Sequence, residues 1–159
     1  MSSDKRAGWL GTLVAWREKT DWIPPLLARL TLGIIFAESG WGKLHNLPKV
    51  VAFFTELGIP APSLQAPFVA GVELVGGLLI FVGLFTRLAA IPLSATMLVA
   101  IATAKMGDVH SIGDFAGLSE WAYFVLLMWL VWAGAGAVSL DALIGRFRRK
   151  NADRGEIRK

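Results

Sequence analysis

Four apolar runs of bilayer length, at about 24–43, 66–85, 88–105 and 119–138, constrain this 159-residue chain more than anything else in it. Twenty residues rising 1.5 Å each make a helix of about 30 Å, one hydrocarbon thickness. Composition agrees: 55% of residues are hydrophobic and 18% charged, with mean hydropathy +0.56, whereas a soluble domain carries about a quarter charged residues. The expected fold is all-α, an integral membrane four-helix bundle at 22–145. Four crossings use most of the length, so a large soluble catalytic domain has no room here.

The segments between the runs are short. Residues 1–21 place Trp9, Leu13 and Trp16 at helical spacing among Lys5, Arg6, Arg17 and Lys19, the pattern of a short amphipathic interfacial helix. It does not read as a cleaved signal peptide, because Arg17, Glu18, Lys19 and Asp21 interrupt any apolar core. Residues 47–65 are too short and too broken by Pro48, Pro60 and Pro62 to cross. Val50, Val51, Phe53, Phe54 and Leu57 nevertheless give them one apolar face, which predicts a surface loop or helix lying over the bundle like a lid. Only Thr86 and Arg87 separate the second run from the third, so these form a tight hairpin. A polar loop at 106–118 carries Asp108, His110 and Asp114. The basic tail at 146–159 is expected to be disordered beyond its first turn.

Lysine and arginine counts orient the chain. Four in the N-terminal segment, Arg87 in the hairpin and seven after Val138 lie on one side, against Lys43, Lys49 and Lys105 on the other. Both termini are therefore expected in the cytoplasm, with the 47–65 segment and both histidines outside. The net charge of +4 and pI near 9.8 fit anionic lipid rather than nucleic acid, because the basic residues collect beside apolar segments and at the C-terminus. With no cysteine, the chain forms no disulfide, thiolate metal site or Cys-ligated iron–sulfur cluster, and carries no thiol relay.

Ionisable residues within a bilayer segment are costly enough to require a reason. Here they are Arg29, Glu38 and Glu73, with Lys43 and Lys105 at helix ends. A 100° step along the first run aligns Arg29, Gly33, Phe36, Gly40 and Lys43 on one stripe and Glu38, Gly42 and His45 on another. Gly33 and Gly40, Gly76 and Gly77, and the run from Gly134 to Ala137 are the small residues that allow close helix packing. Glu38 and Glu73 fall at similar depth on consecutive antiparallel helices, on the order of 7–10 Å below the outer edge. They are expected to line one polar pocket with Lys43 or Lys105 at its mouth, unless each is a structural partner of a basic side chain. His45 and His110 are residue types that ligate haem or a metal, yet one helix end and one loop supply only a partial set, and no metal is assigned. The seven Trp and nine Phe suit interfacial belts and the bundle core, and one could stack on a quinone ring.

Together these residues form a pattern. The segments RLTLGIIFAESGWGKL (Arg29 to Leu44), LGIPAP (Leu57 to Pro62), GVELVGGLLIFVGLFTRLAA (Gly71 to Ala90) and SLDALIG (Ser139 to Gly145) resemble the DoxX family of small four-helix membrane proteins, over about 25–145. The resemblance carries over Arg29, Gly33, Gly40, Lys43, Gly58, Glu73, Gly77, Gly83 and Arg87 as motif positions. It implies a location in the bacterial cytoplasmic membrane. Related DoxD subunits belong to a thiosulfate:quinone oxidoreductase, and other members are linked to membrane oxidoreductase complexes in oxidative or thiol stress. The implied role is a membrane subunit of a quinone-linked oxidoreductase system. Without cysteine, its electrons would pass through a bound quinone or a partner subunit. The alternative role is a non-enzymatic scaffold or small-molecule carrier, with self-association open to either.

The charge bias makes the topology testable with single cysteines in this Cys-free chain. In intact cells, Lys49→Cys and His110→Cys are expected to react with an impermeant thiol reagent while Lys150→Cys stays protected. The opposite labelling would invert the orientation.

Overall fold

The computed structural model describes residues 19–156, and all regular structure among them is helical. The interfacial helix expected at 1–21 lies almost wholly outside the described residues. Seven α-helices follow: α1 (Ile23–His45), α2 (Leu47–Glu56), α3 (Pro62–Val82), α4 (Thr86–Ala100), α5 (Ile112–Ala116), α6 (Ser119–Ala133) and α7 (Leu140–Glu156). The segments α1, α3 and α4 with its continuation to Lys105 are each long and apolar enough to cross a membrane, and α6 is a shorter apolar helix beside them. These four make the bundle.

Local chemistry sets the ends. Pro24 and Pro25 occupy the first turn of α1, where a missing N–H removes no helical bond. Asn46 stops that helix, its N–H bonding Lys43 O, and Pro48 restarts the chain as α2. Residues 47–56 of the expected 47–65 segment thus form a short surface helix with no fully buried residue, and the spanning helix α3 already starts at Pro62. Gly83, at φ 73°, ends α3 in the left-handed conformation that glycine adopts without strain. The expected hairpin therefore turns at 83–85, two residues earlier than the Thr86–Arg87 linker. The Asp141 carboxylate accepts from the N–H groups of Phe85 (3.0 Å) and Thr86 (3.4 Å), placing a negative charge at the start of α4.

Helices α1 and α3 form the tightest seam. A Cβ on Gly40 would stand 2.3 Å from Leu74 N, and one on Gly77 2.5 Å from Ala37 N, so backbone meets backbone there. The core beside it holds Leu32, Phe36, Ile80, Leu93, Leu127 and Leu130, all fully buried. Phe36 meets Tyr123 of α6 edge to face at 6.3 Å.

Two expectations are corrected. The fourth apolar helix ends at Ala133 rather than near 138, because Gly134 (φ 81°) and Gly136 (φ 75°) turn the chain out of the helix. The tail is helical as far as Glu156 instead of disordered after one turn. Ser139 starts it, its hydroxyl accepting from Ala142 N–H at 3.1 Å in the manner of an N-cap.

Arg29 closes the bundle. Its side chain is buried, and it donates to Ile80 O (3.0 Å), Phe81 O (3.0 Å), Ala135 O (2.7 Å) and Val138 O (2.7 Å). The first two are carbonyls of the last turn of α3, where Ile80 O also accepts the Gly83 N–H, and the others belong to the irregular segment after α6. A single ammonium cannot serve that fork of acceptors. Arg29→Lys is therefore expected to cost at least ~3 kcal/mol, from the loss of several charged hydrogen bonds, read as a lowered midpoint in thermal unfolding of the purified protein.

Candidate functional site

Arg29, Gly33, Phe36 and Gly40 face inward and are buried, whereas Glu38, Gly42 and His45 are exposed, so the two stripes of α1 do face different surroundings. At the far end of the inward stripe, Lys43 Nζ lies 2.5 Å from the Glu73 carboxylate and contacts both oxygens. Ser39 Oγ donates to Glu73 Oε2 at 2.9 Å. Glu73 is 2% exposed, and the Lys43 side chain 30%. One turn beyond Glu73, Gly77 admits α1 and Gly76 admits Leu93 of α4. That close approach buries the carboxylate.

The pair borders a cavity of about 520 Å³. Its walls come from α2 (Val50, Phe53, Phe54), α3 (Phe68, Val69, Val72) and α4 (Pro92, Ala95, Val99), and its polar groups include Lys43, Glu73, Lys49, Gln65, Thr96 and Thr103. Most of these polar groups are already engaged: Gln65 donates to Pro60 O, Thr96 to Leu93 O and Thr103 to Val99 O. Phe53, Phe68, Pro92, Ala95 and Val99 are exposed at the flank of the bundle, so the cavity opens sideways, toward hydrocarbon. The arrangement is an apolar slot with one deep ion pair.

Beside the slot the α4 ladder widens into a π-helical segment, Ile101–Lys105, which contributes Thr103 and Ala104 to the lining. Such single-turn widenings are frequent at functional sites.

The structure brings together some of the predicted residues and separates others. Lys43 and Glu73 meet. Glu38 is exposed and stands apart from the pair, so the expected two-carboxylate pocket does not form; Ser39, about 100° further round the helix, takes that place. The Gly33–Phe81 and Ala37–Gly77 contacts set Glu38 across from about Gly76 rather than Glu73, and its azimuth turns it outward. Lys105 is not at the mouth; it pairs with Glu120 of α6 at 3.5 Å, and Lys49 of α2 lines the cavity instead. His45 is exposed, its ring 4.2 Å from that of Trp41. His110 is exposed in the loop before α5, where its N–H donates to Asp114 Oδ2. Neither histidine joins a group of three metal-capable side chains among the described residues. The Asp114 carboxyl is held below the usual carboxylate range by hydrogen bonds from Ser111 and His110. Ser39 and the π-helical turn were missed. The four-residue spacing of Ser39 and Lys43 was a readable signal for the first, and no sequence signal marked the second.

This slot and its ion pair lie within residues 25–106, the stretch matched by the DoxX family model. The chain belongs to the DoxX family. Among similar DoxX relatives, "Putative oxidoreductase CatD" of Bacillus subtilis is 34% identical over 124 residues, spanning 77% of this chain and 87% of that protein. "Uncharacterized membrane protein Rv3486" of Mycobacterium tuberculosis is 32% identical over 136 residues, 77% of this chain and 83% of its own. "Inner membrane protein YqjF" of Escherichia coli is 25% identical over 129 residues, 81% and 98% respectively. No solved structure matches. Membership and the apolar helices make this a DoxX membrane protein, and the relative YqjF is named an inner membrane protein.

In this DoxX bundle, Glu73 and Glu38 differ in what they hold. Glu73→Gln breaks an ion pair that leaves Lys43 partly buried, a cost on the order of 2 kcal/mol after allowance for the exposed part of the lysine. Glu38→Gln should be near neutral. Thermal unfolding of the two variants side by side checks the ranking, and equal midpoints would overturn it.

Proposed function

We propose that this protein is the membrane subunit of a quinone-linked oxidoreductase system, and that the slot beside Lys43 and Glu73 receives the quinone headgroup. The observation that carries this reading is a buried ion pair at the wall of a largely apolar cavity on the exposed flank of the bundle. A ligand suited to it has an apolar ring and tail with few polar atoms and enters from lipid. A quinone meets each requirement.

The residues fit that group by their chemistry. The Lys43 ammonium is a donor with three hydrogens, of which a carbonyl oxygen could accept one. Glu73 keeps that ammonium in place and is itself held by Ser39. Phe53, Phe54 and Phe68 offer aromatic faces along the walls. When bound, a quinone supplies two-electron, two-proton redox chemistry. The protein's part is to bind the ring, exclude water from it and keep a proton donor and a carboxylate at its edge. With no cysteine in the chain, the electrons are assigned to a partner subunit, in line with the oxidoreductase name of the B. subtilis relative.

Extraction of the protein purified in mild detergent tests this directly. The expected result is about one quinone per chain, falling to the level of a control membrane protein in Lys43→Ala. Background quinone in the unaltered protein would overturn the reading and favour the alternative, a scaffold or a carrier of another apolar molecule using the same slot.

A further inference from the structure

At the opposite end of the bundle from the slot, the chain leaves α6, turns through Gly134 and Gly136, and continues as α7. The start of α7 is pinned. Asp141 accepts from Phe85 and Thr86 N–H and donates its own N–H to Gly83 O at 3.0 Å. The helix therefore begins level with the ends of α3 and α4, where spanning segments reach the membrane surface.

Pinned there, α7 presents an apolar stripe. Leu140, Leu143, Ile144 and Phe147 recur at i, i+3, i+4 and i+7 and are all exposed, Phe147 at 61%. At about 100° per residue, the stripe covers an arc of about 100°, with Arg146 on one side of it and Arg148 on the other. Lys150 falls at its edge. Arg146, Arg148 and Lys150 form no ion pair among the described residues, and Asp141, the acidic side chain of the first turn, is occupied by the α4 cap. An exposed apolar arc bordered by unneutralised cations matches the edge of an anionic leaflet.

A cavity of about 430 Å³ lies between this helix and the start of α1, lined by Trp22, Ala137, Val138, Ser139, Leu143 and Arg146. Its charged group is Arg146. The Trp22 indole N–H is directed to Lys19 O at 3.0 Å, and Ser139 Oγ donates to Gly136 O, so neither is an available donor. The walls are thus an indole and aliphatic groups, with a guanidinium at the rim that can grip a phosphodiester bidentately.

We propose that this cavity is a binding site for one anionic phospholipid, its phosphate held by Arg146 and its glycerol and upper acyl chain lying against Trp22 and Leu143. Helix α7 then rests on the leaflet around it through the Leu140, Leu143, Ile144 and Phe147 stripe. The site is separate from the quinone slot and does not depend on it.

Native mass spectrometry of the full-length protein, released from micelles holding equal amounts of phosphatidylglycerol and phosphatidylcholine with matched chains, reads the preference. The unaltered protein is expected to retain phosphatidylglycerol several-fold over phosphatidylcholine. Arg146→Ala should lower that ratio about fivefold, Arg146→Lys should keep part of it, and Lys49→Gln, which removes a charge at the other end, should leave it intact. Millimolar inorganic phosphate is expected not to compete. Equal retention of the two lipids, an unchanged ratio in Arg146→Ala, an equal loss in Lys49→Gln, or displacement by free phosphate would each overturn the proposal. Thermal unfolding of Arg146→Ala in the same detergent verifies that the variant is folded.

Discussion

One guanidinium organises the end of this bundle. A bilayer offers no water to carbonyls left over where a helix stops, so a chain that ends α3 and breaks α6 within reach of hydrocarbon must supply donors of its own. Arg29 supplies them to Ile80, Phe81, Ala135 and Val138. The same contacts explain the neighbouring glycines. A Cβ on Gly83 would lie 2.5 Å from Arg29 Cζ, and one on Gly136 2.9 Å from Pro25 Cβ. With these ends tied, Asp141 can reach the first N–H groups of α4, and α7 starts from a fixed point.

The other end is built on a different balance. Backbone contact between α1 and α3 buries Glu73, and a buried carboxylate without a partner is strongly disfavoured. Lys43 and Ser39 meet that need from one face of α1. The fourth side is α2, which packs no residue to full burial and therefore roofs the space instead of filling it. A cavity results where a longer core helix would have produced solid packing. The π-helical turn after α4 borders the same space, so an irregular stretch of backbone coincides with the buried Lys43–Glu73 pair and its roof.

The two ends differ accordingly in what they can bind. The Lys43 end has its ion pair on the wall of an apolar slot, suited to a ring with few polar atoms. The Arg146 end has an uncompensated cation above aliphatic and indole surface, suited to an anionic headgroup on a chain.

Much was determined by sequence alone. Hydrophobic length set the number and approximate limits of the apolar helices, Pro48 marked the break after the first, and the 100° step separated the buried Arg29–Gly40 stripe from the exposed Glu38–His45 one, while the hairpin expected at Thr86–Arg87 turned at 83–85. Those signals are local, since each depends on the period and end chemistry of a single helix. Tertiary structure decided which polar groups meet. The register and rotation of α1 against α3, set by the Gly40 and Gly77 contacts, gave Glu73 to Lys43 and Ser39 and turned Glu38 outward. Lys105, at the end of the π-helical turn, went to Glu120. The partners of Arg29 were equally beyond sequence reasoning: they are backbone carbonyls, which every residue carries, and only the packed chain shows which of them the guanidinium reaches.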